Sequence, residues 1–283
     1  MNTRPITSRE YKVMLDADKF VGGKQEFKAA ANSFWKIFSA AIGGQTAKIH
    51  GAFDVVKKRL ITFYDTEEKL LYEHAYIFRE RIENNKREAT LKFRHPDRYY
   101  AQDRDMRCKG DDTEENLKFE EDIKSNDELD FATIEKPKYF VSLYSHSNKC
   151  KIKASKTISC LHDLAGMFPD FKNRLGGAYN PELELQPVNN FSAHETVYAG
   201  AGFDLGANGE VECECALINW RADKQNKEPL VVEFSFRYAA KKEKFSGTAA
   251  LQAYNIFQLL QSDKQLKQWA DLSGLTKTRF VYK

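Results

Sequence analysis

Five stretches of the chain alternate apolar and charged residues with a period of two: 10–13, 78–82, 91–94, 211–215 and 232–238. Successive side chains of an extended chain leave opposite faces, so each stretch predicts a strand with one apolar and one charged face. The charges carry both signs. Two architectures satisfy the pattern. One is an antiparallel sheet with a single wet face. The other is a barrel turned inside out, with apolar residues outward beneath helices and a lumen crowded with Lys, Arg and Glu.

The rest of the chain supplies the covering elements. A strand is predicted over 10–15. A helix is predicted over 25–42, where Phe27, Ala30, Ala31, Phe34, Phe38 and Ile42 recur near helical spacing and Gly43-Gly44 stops them. Its aromatic stripe reads as core packing. Residues 59–65 read as a strand and 67–71 as a short helix or turn. Residues 73–83 and 88–94 form a hairpin about Asn84-Asn85, a good turn pair. The charge-dense 102–116 predicts an exposed loop, and a strand resumes over 117–123. Residues 139–145 and 149–155 read as a second hairpin turning at 145–148. A short amphipathic helix over 158–168 ends at Pro169, and 179–190 is irregular. A strand over 196–205 is weakened by Gly200 and Gly202. Strands over 211–220 and 230–238 are joined by the charged 221–229. A long helix over 248–272 is expected to pack through Leu251, Tyr254, Ile256, Leu259, Leu260, Leu266 and Trp269.

Composition narrows the class. The 283 residues are 42% hydrophobic and 30% charged, enough for a substantial core with a polar remainder. A net charge of +3 is close to balance, which argues against a general nucleic-acid binder. No apolar run reaches the length of a membrane span, and residues 1–8 lack the apolar centre of a signal peptide. The five cysteines are odd in number and contain no C-x-x-C pair, so free thiols and a cytoplasmic setting are expected. The six histidines show no metal spacing. No linker forces a division of the chain, and a single domain over 1–283 is expected.

The segment from Thr62 through Tyr64-Asp65-Thr66 to Arg79-Glu80-Arg81, followed by Ala89-Thr90-Leu91-Lys92, resembles the CYTH family, the triphosphate tunnel metalloenzymes. The opening Glu10-Tyr11-Lys12 is similar to the second half of that family's Glu-x-Glu-x-Lys signature. The closing Val232-Glu233-Phe234-Ser235-Phe236, then a helix, is similar to its last acidic strand. Order and spacing agree over 10–94 and 211–260, while the region around 100–205 is an enlarged insertion. The resemblance implies an α+β fold: an antiparallel β-tunnel of eight or slightly more strands, with a charged lumen and flanking helices. It implies Mg²⁺- or Mn²⁺-dependent hydrolysis of a triphosphate compound, inorganic or organic. The partner would be a small-molecule triphosphate or polyphosphate, with no membrane and no general nucleic-acid binding.

Carried over by position, the resemblance implies that Lys12 contacts phosphate and assists catalysis. Arg79, Arg81, Lys92 and Lys118 would grip phosphate, and Glu10, Glu212, Glu214 and Glu233 would hold metal. The physical logic is sound: a polyanion needs several cations, Arg suits bidentate phosphate contact, and Mg²⁺ takes hard oxygens. Two departures stand out. Ser8 and Ser235 occupy positions where the family places carboxylates. They motivate an alternative in which a catalytically weakened tunnel binds nucleotides or polyphosphate as a sensor or scaffold. Lys149, Lys151 and Lys153 share a face and read as a solvated edge. Asp65 reads as a turn or cap residue.

Overall fold

Alternation of the kind seen in Tyr11-Lys12-Val13 has a three-dimensional consequence, visible in a computed structural model of the protein that describes residues 4–46, 48–109, 116–125, 140–271, 273 and 275–283. In chain order the strands are β1 (Ser8–Leu15), β2 (Lys48–His50), β3 (Val55–Asp65), β4 (Tyr76–Glu83), β5 (Lys86–His95), β6 (Lys118–Ser125), β7 (Phe140–Ile152), β8 (Gln186–Ala199), β9 (Gly202–Leu205), β10 (Val211–Arg221), β11 (Val231–Ala239) and β12 (Ala270–Asp271). The α-helices are α1 (Lys24–Ile42), α2 (Leu70–Glu73), α3 (Arg98–Gln102), α4 (Leu161–Met167), α5 (Asp170–Leu175), α6 (Gly247–Ser262) and α7 (Lys277–Tyr282).

Nine strands close into a barrel in the order β1-β6-β7-β5-β4-β3-β8-β10-β11, and β11 returns to β1. The expected tunnel is therefore present, one strand larger than eight. All its pairs are antiparallel except β1–β6, which run parallel with Glu10 opposite Asp122. β9 and β2 extend the sheet beyond β10, and β12 adds to the end of β1. Closure leaves the nine staves without a free edge.

The barrel is inside out. Tyr11, Val13, Cys215, Leu217, Phe234 and Phe236 point outward and are buried under α1 and α6. Phe34 meets Phe234 edge-on at 5.0 Å, and Phe257 meets Tyr11 at 5.3 Å. Each fully buried aromatic of this layer contributes roughly 1.5–3 kcal/mol. On the other side Leu161, Leu164, Phe168 and Phe171 of the α4–α5 region cover Tyr76, Phe78, Leu91 and Phe93. Asp65 caps α2, accepting the amides of Leu71 and Tyr72 and the hydroxyl of Tyr282. Among the described residues no helix is long and apolar enough to cross a membrane.

Several elements differ from their sequence expectations. Residues 145–148 do not turn: β7 runs unbroken from Phe140 to Ile152, pairing with β5 and β6. Tyr139 lies outside the described residues. Ser145, Ser147 and Asn148 resemble a loop in sequence because they serve a polar interior. The strand expected over 196–205 is two strands, parted at Gly200, whose φ of 103° and contact with the Ala52 carbonyl leave no room for a side chain. α6 stops at Ser262, ten residues short of expectation. Asp263 adopts an extended backbone and its carboxylate accepts the amides of Gln265 and Leu266, which starts a turn instead. Leu251, expected to pack, is 60% exposed. Cys108 and Cys150 are joined by a disulfide, with Cα atoms 6.2 Å apart, where free thiols were expected. Cys108 lies in the segment after α3 and Cys150 on β7, so proximity arises only in the fold.

Candidate functional site

Alternation sends the second set of side chains inward. β1 contributes Glu10 and Lys12, β4 Arg79 and Arg81, β5 Lys92 and Arg94, β6 Lys118, Glu120 and Asp122, and β11 Glu233 and Arg237. Together they line a cavity of about 600 Å³. Eleven Lys and Arg side chains face six Asp and Glu side chains there. That local excess exceeds the +3 of the whole chain. The tunnel is therefore where the protein concentrates positive potential.

Arg79 and Arg81 stand apart from the other cations. Neither has a hydrogen-bond or ion-pair partner among the described residues, and the Nε of each is sequestered from solvent. Burial pushes Arg79 down to about 10, with Arg81, Arg59 and Arg94 pushing the same way and Glu195 opposing them. Arg81 is lowered by burial and by Arg59. Both remain charged at neutral pH. Glu195 offsets part of this charge on both arginines, but no carboxylate among the described residues contacts either guanidinium, an arrangement that an anion would relieve.

Asp122 organises the opposite part of the lumen. Its carboxylate takes Lys12 at 2.6 Å, Arg94 at 3.1 Å, Lys92 at 3.4 Å and the hydroxyl of Ser145. Burial alone would raise it, but these cations hold it well below the usual carboxylate range. Lys12 also contacts Glu10 at 2.9 Å. Burial opposes the charge on Lys12, yet Asp122, Glu10 and Glu233 raise its pKa. Lys12 is thus a fixed positive charge and a poor proton acceptor.

Three further lumen carboxylates have partners as well. Glu195 of β8 accepts from Arg59 at 3.2 Å and from the Trp220 indole at 3.0 Å. Glu233 takes the ammonium of Lys277 at 2.8 Å. Glu120 accepts the Ser8 hydroxyl at 3.0 Å, so one of the two serine departures is a hydrogen-bond donor to a carboxylate of the neighbouring strand. Ser235 is buried on the inward-facing register of β11, beside Glu233 and Arg237.

Of the residues expected from sequence, the cavity lining brings together Lys12, Arg79, Arg81, Lys92, Lys118, Glu10 and Glu233. Lys118 sits at the rim, 47% exposed and 3.8 Å from Glu120. Glu212 and Glu214 are not in the lining. They share the inward register of β10 but lie past the mouth, exposed, with Glu214 paired to Arg237 at 2.5 Å. Lys149 lines the mouth and pairs with Glu88, so it is more than a solvated edge, while Lys151 and Lys153 are exposed. Sequence reasoning missed Arg59, Glu195, Trp220 and Lys277. Arg59 ends a Lys-Lys-Arg run that hides its period, Glu195 stands in a stretch with no clear alternation, and Lys277 follows the last strongly patterned segment.

The divalent ion implied by the family resemblance can be tested against this donor set. Mg²⁺ or Mn²⁺ needs several hard oxygens that are free to converge. Among the described residues no group of three or more His, Cys, Asp or Glu side chains converges in this way. Glu10, Asp122, Glu195 and Glu233 each already hold a lysine or arginine within 3.2 Å. The arranged residues therefore do not fit a divalent ion held by the protein alone.

No family model and no curated protein matches the chain. Solved structures resemble it at low identity. One is a protein from Hippeastrum, described as an adenylyl cyclase candidate that reveals a dominant triphosphatase activity. It is 11% identical over 96% of this chain and 93% of that one, with a TM-score of 0.44. Two others are described as adenylate cyclase candidates. The one from Bacillus halodurans is 9% identical over 91% and 92% of the two chains, with a TM-score of 0.37. The one from Vibrio parahaemolyticus is 8% identical over 98% and 98%, with a TM-score of 0.33. Likeness at this level carries no function.

Proposed function

We propose that the tunnel binds the triphosphate group of an inorganic or organic triphosphate. The observation that carries this reading is the sheltered, unpartnered pair Arg79 and Arg81, facing a cavity with a cationic excess. A linear polyanion would give each guanidinium the charge-assisted hydrogen bonds it lacks. Lys92, Arg94 and Lys12 extend the cationic surface, held in place by Asp122. The CYTH-like order of Lys12, Arg79, Arg81 and Lys92 along the chain supports the same reading.

A second reading adds hydrolysis of the terminal phosphoanhydride. It is favoured by Glu10 and Asp122, which flank Lys12 and stay ionised. A carboxylate able to orient water then lies beside a fixed cation able to offset phosphate charge. Such catalysis would be positioning and electrostatics, with little covalent chemistry.

One experiment separates the readings. Tripolyphosphate, ATP, GTP and thiamine triphosphate are each supplied with Mg²⁺, Mn²⁺ or EDTA, and both phosphate release and thermal stabilisation are recorded. Stabilisation by tripolyphosphate that Arg79→Ala/Arg81→Ala loses establishes binding. At a hundredfold excess over Kd the expected gain is about 2.7 kcal/mol. Phosphate release abolished in the same variant establishes hydrolysis. Absence of both signals in the wild-type protein sinks the proposal.

A further inference from the structure

The inward-facing register of β7 does not stop at the mouth of the tunnel. It carries Ser147 and Lys149 on the cavity wall and continues one step outward to Lys151. In the ladder with β5, Lys149 stands opposite Thr90 and Lys151 opposite Glu88. In the next ladder Arg79 stands opposite Thr90 and Arg81 opposite Glu88. The two lysines therefore share cross-strand rows with the two unpartnered arginines, two strand spacings or roughly 10 Å away. Lys153 follows at the end of β7, and Lys156 lies in the turn beyond. That turn is held in place: the Nη1 of Arg87 donates to the carbonyls of Lys153, Ala154 and Lys156 at 3.1, 2.8 and 2.9 Å, while its Nε is fixed by Glu80. Lys151, Lys153 and Lys156 are exposed, and none forms an ion pair among the described residues. The nearby carboxylates are already taken, Glu88 by Lys149 and Glu83 by Arg59. Across the barrel the rim is acidic, with Glu212 and Glu214 exposed on the inward register of β10.

The cationic wall of the lumen thus runs out of the mouth on one side as a line of free ammonium groups. A ligand that ends inside the cavity leaves them unused. We propose that they form an outer track for a linear polyphosphate longer than three units, its end held by Arg79 and Arg81 and its continuation laid over Lys149, Lys151, Lys153 and Lys156. The part inside the lumen rests on the triphosphate reading above. An ammonium is a point charge on a flexible stem, which suits a chain charged at every unit and asks for no fixed fork geometry. Glu212 and Glu214 repel such a chain and leave the β7 side as its path. A nucleic-acid strand fits less well. Residues 148–157 contain no aromatic side chain, so the track lacks the stacking platform on which bases are held.

Calorimetry with tripolyphosphate and with a size-fractionated polyphosphate several times longer tests the track. The wild type is expected to bind the longer chain about tenfold more tightly, the sum of several exposed contacts of modest strength. Lys151→Gln/Lys153→Gln/Lys156→Gln changes only exposed side chains. It should erase that preference and leave the tripolyphosphate Kd within about twofold, because charges this far out are largely screened from the lumen. Raising the salt should narrow the wild-type gap for the same reason. Equal affinity of the wild type for the two ligands overturns the inference, and so does a preference that survives in the triple variant. Undiminished binding of the long chain by Arg79→Ala/Arg81→Ala would also overturn it, since the track would then not continue from the lumen. A single-stranded oligonucleotide without a 5′-triphosphate serves as the other polyanion. Binding of it as tight as that of the long polyphosphate, and lost in the triple variant, would overturn the choice of occupant. Tripolyphosphate binding without a chain-length preference defeats this inference alone, whereas failure of the wild type to bind either phosphate ligand defeats the triphosphate reading with it.

Discussion

Asp122 shows how a single side chain sets the character of the lumen. It is 4% exposed and holds Lys12, Lys92 and Arg94 around one carboxylate. Removing its charge leaves three cations facing one another in a sheltered space. Asp122→Asn is expected to lower stability by about 3–5 kcal/mol, the usual cost of breaking a buried ionic group on one side. Urea unfolding measures that loss. The same substitution frees three cations for an incoming anion, so tripolyphosphate affinity should rise while stability falls. A variant that loses both stability and affinity would show that Asp122 positions the cations and does not merely restrain them. Arg79 and Arg81 illustrate the opposite case, because they have no such partner among the described residues and their charge is directed at whatever enters.

At the scale of elements, legibility followed the sharpness of the alternation. β1, β4, β5, β10 and β11 were readable because apolar and charged residues take turns along them. The hairpin at Asn84-Asn85 was readable because both asparagines adopt the left-handed backbone, with φ of 50° and 62°. β7 was misread because an inside-out barrel needs polar residues in its staves, and Ser145-His146-Ser147-Asn148 looks like a turn when a dry interior is assumed. α6 was overextended because apolar residues continue at helical spacing past Asp263, where a side-chain cap diverts the backbone. The correction to α6 has a measurable consequence. Leu251 is exposed whereas Phe257 is fully buried against Tyr11 and Phe236. Leu251→Glu should change stability by no more than about 0.5 kcal/mol, typical of an exposed site. Phe257→Ala should cost about 3–5 kcal/mol through lost burial and a cavity. A large loss at Leu251 would place α6 in a different rotation. Lys277 was invisible for a simpler reason: its partner Glu233 lies on β11, and only the fold brings the start of α7 to it.

The whole molecule carries ionisable groups in two layers, and they respond to acid at different pH. In the lumen Glu10, Asp122 and Glu195 have folded pKa values below their ordinary range, because paired cations outweigh burial. Their stabilisation is full above the unfolded carboxylate pKa of about 4 and is lost as pH falls through the folded values. In the outer layer His146 is fully buried between strand and helix, 5.7 Å from the Phe119 ring, and burial, with the nearby Arg4, lowers it to about 4. Between the unfolded value of about 6.5 and the folded value, the unfolded chain binds the extra proton, so stability rises with pH there and is lost as pH falls. A depression of that size is worth up to about 3 kcal/mol. Stability should therefore decline in two stages on acidification, from about pH 6.5 to 4 through His146 and below about pH 4 through the lumen carboxylates. Replacing His146 with Phe removes the largest contribution, and denaturant midpoints measured from pH 7 to 4 should then fall much less, the residual slope coming from His194, which burial and Lys224 also lower, with the acid collapse below pH 4 retained. Persistence of the first stage in that variant would assign it to another group. The separation matters for function, because Glu10, Asp122 and Lys12 at the heart of the lumen keep their ionisation across the neutral range in which His146 acts on stability.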